Sequence, residues 1–170
     1  DAERAVDQIR RAVTIWRNTD GSQVLPGGLY NLGMALHAAN QPKQALVALQ
    51  ESRKLRAIQY GASSTLVGDT DRMIGEVLFS MGNTENARVH FERAAALARI
   101  GYAENHPRRL EAELSLARFR ARTGHSELAL PVLDALAQIN GNGSEENKIR
   151  WRARAYAAEA RCNSGQTDIA

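Results

Sequence analysis

The sequence has very little of what catalytic and metal-binding proteins use. Its single cysteine, Cys162, excludes an internal disulfide and a multi-cysteine metal site. The four histidines show no paired ligand spacing, and the chain has no glycine-rich phosphate-binding loop ending in Lys-Ser or Lys-Thr. We therefore predict no metal, no cofactor and no catalytic residues, and we do not expect an enzyme.

Long apolar runs and a charge of predominantly one sign are also absent. No run of about 18 apolar residues occurs, so we predict no membrane-spanning helix and no membrane partner. The net charge is only +3, because 22 basic and 19 acidic residues are mixed along the chain, and this does not indicate nucleic-acid binding. With one cysteine and no visible signal peptide, we expect a cytoplasmic location.

What the sequence does contain is an internal repeat. Three segments align without a gap and begin 42 residues apart, at positions 29, 71 and 113: Leu29–Ser52, Asp71–Ala94 and Glu113–Leu136. In each segment a small residue is followed first by an alanine and, one helical turn later, by a large apolar residue. These positions hold Gly33, Ala45 and Leu49; Gly75, Ala87 and Phe91; and Ala117, Ala129 and Leu133. Each segment therefore predicts two helices, with the second packed closely over the small residue of the first.

The repeat pattern extends towards both ends of the chain. Residues with helix-breaking character separate the two helices of each repeat, at 40–42, 82–84 and 124–126. Near the start, Ala5, Ile9 and Ala12 fit the second helix of a preceding repeat. Near the end, Ala158, Gly165 and Ala170 fit the first helix and turn of a following repeat, with the register moved by one residue.

We therefore predict one all-α domain over residues 1–170. It comprises a half repeat (1–18), three repeats (about 24–59, 64–101 and 106–140) and another half repeat (144–170). The antiparallel helix pairs are expected to stack into a right-handed superhelical solenoid of about eight helices. Leu136 stands where the other repeats have Ser52 and Ala94, which predicts looser or shifted packing in the third repeat.

These residues resemble the tetratricopeptide repeat, whose pattern has small, alanine, large apolar and small residues in this order. The period of 42 exceeds the usual period of about 34 residues and is similar to the kinesin-light-chain variety. The pair His106-Pro107 before Ala117 and the segment Tyr30-Asn31-Leu32-Gly33 also resemble that variety. Because this variety is common in bacterial signalling proteins, the resemblance implies a fragment of a bacterial regulatory protein.

The family resemblance also implies a concave groove lined by the first helices of successive repeats. The residues it assigns to a partner-binding groove mix apolar and polar side chains, as peptide recognition requires. They are Tyr30, Asn31, Met34, His37, Arg72, Met73, Glu76, Phe79, Leu114, Ser115, Arg118, Arg122 and Tyr156, with Arg152 and Glu159 also contributed by the final half repeat. Packing between neighbouring helices is the alternative for Met34, Met73 and Phe79, since helical periodicity does not distinguish the two faces.

The leading functional hypothesis is a protein–protein interaction scaffold that binds a peptide or a partner domain. We expect it to be the sensing or docking part of a larger bacterial signalling or transcriptional regulator. An acidic peptide would suit the arginines of residues 118–122 better than a nucleic acid would. One alternative is a ligand-responsive module that senses a signalling peptide or small molecule. Another is self-association as an end-to-end homodimer through the half repeats.

Overall fold

The chain is helical throughout the part that the structure describes. The computed structural model describes residues 2–19, 23–139 and 143–165, and over these residues the chain forms eight α-helices and no strand. The helices are α1 (Ala2–Arg17), α2 (Leu25–Ala38), α3 (Pro42–Tyr60), α4 (Thr65–Ser80), α5 (Thr84–Gly101), α6 (Pro107–Arg122), α7 (Ser126–Ala137) and α8 (Ser144–Asn163). The predicted all-α class is confirmed. The repeat boundary at residue 140 and the assignment of Ala170 lie outside the described residues.

The chain divides into two compact units, Asp1–Leu97 and Ala98–Ala170. The boundary falls near the end of α5, so the first unit contains α1 to α4 and most of α5. The second unit contains α6, α7 and α8. Each unit has packed helices of its own, and a single domain over residues 1–170 stays a prediction.

In the first unit, paired helices approach each other at a glycine. A Cβ atom added to Gly33 of α2 would lie 2.5 Å from Cγ of Leu49 on α3. A Cβ atom added to Gly75 of α4 would lie 3.0 Å from the ring of Phe91 on α5. Neither Leu49 nor Phe91 has any exposed surface, so neither side chain can easily move away. The small residue of the repeat pattern is therefore what allows the second helix to lie against the first.

Each first helix of a repeat is followed by a residue with a positive φ angle. These residues are Asn40 (56°), Gly82 (77°), Gly124 (85°) and Gly165 (71°). Glycine and asparagine tolerate this conformation, which ends a helix and reverses the chain. In the three repeats this residue lies seven positions after the small residue of the first helix, as Asn40 does after Gly33. On α8, Gly165 lies seven positions after Ala158. The helix α8 therefore has the register of a first helix, as the sequence predicts.

The second unit has one apolar core between its three complete helices. Apolar residues from α6, α7 and α8 form this core: Leu110, Leu114, Ala117, Ala121, Ala129, Leu133, Leu136, Ile149, Ala153, Ala157 and Ala160. Leu136, for which the pattern predicts looser packing, lies in this core with 3% of its surface exposed. The helix α6 packs against both α7 and α8, and half of its sixteen residues are buried.

A buried carboxylate connects three helices of the first unit. The side chain of Asp71 on α4 has no exposed surface. Nε of Arg53 on α3 donates to its Oδ1 at 2.6 Å, and Nδ1 of His90 on α5 lies 2.7 Å from the same oxygen. Nε of Arg93, also on α5, forms an ion pair with Oδ2 at 3.2 Å. Because a buried charge needs such partners, Asp71 fixes α4 relative to the helices on both sides.

A buried arginine adds a second connection between α3 and α4. Arg56 is 7% exposed, and its Nη1 donates to the carbonyl oxygen of Leu66 and to Oγ1 of Thr70, both at 2.9 Å. Its guanidinium also lies 4.5 Å from the centre of the Tyr30 ring on α2, within cation–π distance. The packing of the first unit therefore relies on specific polar contacts as well as on apolar burial.

We predict that Asp71→Asn lowers the free energy of unfolding by about 2 kcal/mol, because it replaces the charge-assisted contacts of the buried carboxylate with Arg53 and Arg93 by weaker contacts of a neutral amide. Urea unfolding followed by circular dichroism measures this loss. Glu85→Gln is the control, since it also removes a carboxylate paired with an arginine, Arg88, but at the surface. This control should lose less than about 1 kcal/mol. Equal losses in the two variants would show that burial of the Asp71 carboxylate does not matter.

Candidate functional site

On α2, two of the predicted partner-binding residues lie at the surface. Asn31 is exposed, and Met34 has 41% of its surface exposed. Tyr30 and His37 are half-buried, and Tyr30 also contacts the guanidinium of Arg56. Asn31 and Met34 are three residues apart on one helix, so they face the same side. This part of the first unit presents a hydrogen-bonding amide beside a flexible apolar side chain.

On α4, three predicted residues keep part of their surface accessible. Arg72, Glu76 and Phe79 are all half-buried. Arg72 and Glu76 are one helical turn apart and carry opposite charges. The accessible surface of α4 is therefore neither uniformly positive nor uniformly negative. Within the first unit, the accessible predicted residues are therefore chemically mixed.

Three of the predicted partner-binding residues are buried. Met73 is 8% exposed, Leu114 has no exposed surface and Ser115 is 1% exposed. Leu114 belongs to the core of the second unit, where α7 and α8 cover two sides of α6. The family resemblance assigned these residues to the binding face, but in the structure they are buried in the packing of the helices. We therefore remove them from the candidate surface.

The second unit brings the remaining predicted residues Arg118, Arg122 and Tyr156 onto neighbouring helices. The guanidinium of Arg118 on α6 lies 5.7 Å from the centre of the Tyr156 ring on α8. Nε of Arg122 on α6 donates to Oε1 of Glu159 on α8 at 3.1 Å. These residues link the first helices of two successive repeats. We call the set Glu111, Arg118, Arg122, Arg152, Tyr156 and Glu159 the α6–α8 surface.

Glu111 is the one residue of the α6–α8 surface that the sequence did not assign to a binding groove. Both of its carboxylate oxygens accept hydrogen bonds from Nη1 of Arg152, at 2.8 and 2.9 Å. Arg152 lies 41 residues after Glu111. This spacing equals the repeat period of 42 residues minus the one-residue shift in the register of α8. The two residues therefore occupy the same repeat position on adjacent first helices, and this spacing is the signal that could have identified the pair.

The α6–α8 surface has a positive electrostatic character. Burial alone would raise the pKa of Tyr156, but hydrogen bonds and charge from Arg152 and Arg118 outweigh it and lower this pKa below its ordinary value of 10.0. Burial lowers the pKa of Arg152, but Glu111 and Tyr156 more than compensate and raise it above its ordinary value. The α6–α8 surface contains three arginines and two glutamates, so its net charge is positive. It can therefore accept a carboxylate or another anion.

Other kinds of site do not emerge from the described residues. In residues 2–19, 23–139 and 143–165, no group of three or more His, Cys, Asp or Glu side chains could hold a metal ion. None of the helices in that part of the chain combines the length and apolar character needed to cross a bilayer.

Comparison with known families identifies the repeat. Residues 66–139 match the family model of the tetratricopeptide repeat. These residues belong to the tetratricopeptide repeat family. The matched tetratricopeptide repeats include α4 to α7 and end within the second unit.

Two crystal structures of Podosopora anserina kinesin-light-chain-type proteins with nearly identical tetratricopeptide-like repeats have a similar fold. The first has a TM-score of 0.79 and 18% sequence identity, and the alignment covers 98% of this chain and 80% of that one. The second has a TM-score of 0.71 and 16% identity, covering 99% of this chain and 90% of that one. These similarities confirm the predicted tetratricopeptide-type fold of the kinesin-light-chain variety. The search of curated protein sequences finds no match.

We predict that Tyr156 loses its proton below the ordinary pKa of 10.0, and that Arg118→Gln raises this pKa by removing positive charge beside the phenol. The folded chain then loses this proton at a lower pH than the unfolded chain. The contribution of Tyr156 to stability therefore increases as the pH rises from its lowered pKa towards 10. Carbon NMR of the tyrosine rings measures the titration.

The control for this titration is Arg154→Gln, which removes an arginine on α8 that lies over Trp151 and not over Tyr156. It should leave the pKa of Tyr156 unchanged. A Tyr156 pKa at or above the ordinary value in the parent chain would contradict the positive character of the α6–α8 surface.

Proposed function

We propose that this chain binds a protein partner and that an acidic segment of the partner lies on the α6–α8 surface. Tetratricopeptide repeats generally mediate protein–protein interaction, which supports binding over catalysis. The observation that carries the acidic specificity is the position of Arg118, whose guanidinium lies 5.7 Å from the centre of the Tyr156 ring, with Arg152 one helical turn before Tyr156. The lowered pKa of Tyr156 agrees with this concentration of positive charge.

The chemistry of the α6–α8 surface favours a carboxylate as the group that is recognised. Guanidinium groups bind carboxylates through parallel, charge-assisted hydrogen bonds, and the phenol of Tyr156 offers a further hydrogen-bonding group. Arg152 already binds the carboxylate of Glu111 within the chain, where its Nη1 donates to both oxygens. A carboxylate of the partner would lie near Arg118 and Tyr156.

A second contact is proposed within the first unit, on α2. Asn31 is exposed and can both donate to and accept from the backbone of an extended peptide. Met34 beside it offers an adaptable apolar contact. The two contacts are proposed as separate parts of partner binding, one in each unit.

The wider context stays a hypothesis. The family resemblance alone suggests a larger bacterial signalling or transcriptional regulator, and the cytoplasmic location stays a prediction. A ligand-responsive role also stays a hypothesis, because no described contact favours a small molecule over a protein.

Selection from a random peptide library on the whole chain tests the proposal. We predict that the selected peptides are enriched in Asp and Glu. We also predict that Arg118→Glu weakens the best peptide about tenfold, because it replaces a charge-assisted hydrogen bond with repulsion. Fluorescence anisotropy measures the affinity, and raising the salt concentration should weaken binding further.

The matched control is Lys148→Glu, which makes the same charge change on α8 at a side chain that is 63% exposed and paired with Glu145. It should change the affinity less than twofold, roughly the effect of one exposed ion pair. Asn31→Ala tests the contact on α2 separately and should weaken binding without changing the preference for acidic peptides. Selected peptides without acidic residues, or equal effects of Arg118→Glu and Lys148→Glu, would refute the acidic specificity.

A further inference from the structure

The groove between α1 and α3, with α2 below it, is lined mainly by apolar side chains. It holds a cavity of about 460 Å³, whose lining includes Val13 of α1, Leu29 of α2 and Ala48 of α3. All three side chains are buried. Across this cavity Arg17 on α1 pairs with Glu51 on α3. Successive second helices can therefore pack over a first helix with apolar residues at the inner positions of the groove.

The repeat register relates this groove to the next one, between α3 and α5. Residues of α2 and α3 correspond to residues 42 positions later on α4 and α5, and residues of α1 correspond to residues 40 positions later on α3. The close contact of Trp16 with Gly28 supports the second offset, because its equivalent is the contact of Arg56 with Thr70. In this register the groove residues Val13, Leu29, Ala48 and Glu51 become Arg53, Asp71, His90 and Arg93.

The second groove therefore replaces apolar packing with a charged cluster. We call the set Arg53, Asp71, His90 and Arg93 the Asp71 cluster. Its three outer members come from α3 and α5 and all contact the carboxylate of Asp71 on α4. Since the first groove packs at the same positions with Val13, Leu29 and Ala48, packing alone does not require these polar groups. The replacement favours a binding role for the cluster.

The three outer members of the Asp71 cluster have hydrogen-bonding atoms that Asp71 does not use. The side chains of Arg53, His90 and Arg93 are 27%, 25% and 41% exposed. Asp71 contacts Nε of each arginine and Nδ1 of the histidine, and Nη2 of Arg93 donates to the carbonyl oxygen of Ala62. Both Nη atoms of Arg53, Nη1 of Arg93 and Nε2 of His90 have no other partner among the described residues. These atoms are available to a ligand.

The charge of the Asp71 cluster selects an anion. Two guanidinium groups, one on each side of the groove, outweigh the single carboxylate of Asp71. The acidic side chains of the same two helices that lie nearest in sequence have partners elsewhere, since Glu51 pairs with Arg17 and Glu92 pairs with Arg88. Positive charge therefore remains on both sides of the groove, at partly exposed side chains.

We propose that the Asp71 cluster binds a phosphoryl group, whose oxygens accept hydrogen bonds from Arg53 on one side of the groove and from Arg93 on the other. A phosphate is tetrahedral and can present oxygens to both arginines and to His90, whereas a carboxylate has only two oxygens in one plane. Asp71 is then a positioning residue, because it holds the three groups from below. The site uses no residue of the α6–α8 surface and neither residue of the contact on α2, so it is independent of the proposed peptide binding.

His90 can contribute in either protonation state. Its Nδ1 donates to the carboxylate of Asp71, because an ionised carboxylate only accepts hydrogen bonds. In the neutral ring, Nε2 accepts a hydrogen bond from a protonated phosphate oxygen. In the protonated ring, Nε2 donates to an ionised phosphate oxygen.

Titration of the chain 1–170 with inorganic phosphate, at constant ionic strength, tests the site. NMR of the arginine Nε–Hε groups should show saturable shifts at Arg53 and Arg93, with a dissociation constant of about 1 mM. Acetate should bind at least about fivefold more weakly, because it cannot bridge the two arginines. No saturation by about 50 mM phosphate, or equally tight binding of acetate, would overturn the proposal. Shifts confined to Arg118 and Arg152 would place the phosphate on the α6–α8 surface and would also overturn it.

Two arginines of α5 provide a matched pair of variants. Arg93→Gln should weaken phosphate binding about tenfold, because it removes one of the two guanidinium groups. Arg88→Gln is the control, since Arg88 is also about half-exposed but pairs with Glu85 and Glu92. It should change the affinity less than about twofold, through net charge alone. Equal effects of the two variants would show that phosphate responds only to net charge, and would contradict the site.

A second pair of variants leaves the Asp71 cluster intact and stays informative if Arg93→Gln destabilises the fold. Val89 is 54% exposed, and it precedes Arg93 by one helical turn on α5. Val89→Glu should weaken phosphate binding about threefold by repulsion. Val47→Glu is the control at the equivalent position of α3, where Val47 lines the first groove and is 66% exposed. It should leave the affinity unchanged, and an equal loss in both variants would refute the location of the site.

A phosphopeptide distinguishes the two sources of a phosphoryl group. The probe is a short peptide of glycine and alanine with one phosphoserine, compared with inorganic phosphate and with the same peptide carrying serine. Tighter binding of the phosphopeptide than of inorganic phosphate, lost with the serine peptide, assigns the site to a phosphorylated protein segment. Tighter binding of inorganic phosphate assigns it to the free ion. Either result supports the site if Arg53 and Arg93 shift, and the absence of these shifts with both probes would overturn it.

Discussion

The close contact of a small residue with a large one, halfway along each helix pair, is the constraint on which the repeat depends. Gly33 admits Leu49 and Gly75 admits Phe91 at distances that a side chain would prevent. Once this contact is made, the apolar residues one turn away on both helices become buried, and the turn residue with positive φ closes the pair.

Polar residues have different roles in the two units. In the first unit they are buried and structural, because Asp71 and Arg56 find their partners on neighbouring helices. In the second unit the corresponding surface is partly accessible, and Arg118 and Arg152 place positive charge beside Tyr156 there. The difference between a structural network and a binding surface thus lies in burial and not in residue type.

The sequence predicts the helices well, because repeat spacing, alanine and the turn residues all depend on local geometry. The pairing of α2 with α3 and of α4 with α5 follows from Gly33, Leu49, Gly75 and Phe91, whose sizes are visible in the alignment. The Asp71 network was not predictable in this way, because its position holds Leu29 in the first repeat. Such a network depends on which side chains three separate helices bring together.

The candidate site could be predicted only in part, and the reason is packing. The family resemblance assigns Leu114 and Ser115 to the binding face of α6, but Leu114 lies in the core with α7 and α8, and Ser115 is 1% exposed. Tyr156 and Arg118 stay half-buried, because Tyr156 packs against the edge of the core and Arg118 lies beside its ring. Helical periodicity identifies the face of a helix, whereas the neighbours decide how much of that face remains exposed.

Comparing two glycines of the same helix tests the central constraint most directly. Gly33→Ala adds a methyl group against Leu49, whereas Gly27→Ala adds one where no atom lies within 4 Å. Urea unfolding should show that Gly27→Ala raises the free energy of unfolding by up to about 1 kcal/mol through better helix propensity. Gly33→Ala should lower it by about 1 kcal/mol or more through overpacking. If both variants stabilised the chain equally, the close contact would not be what holds the repeat together.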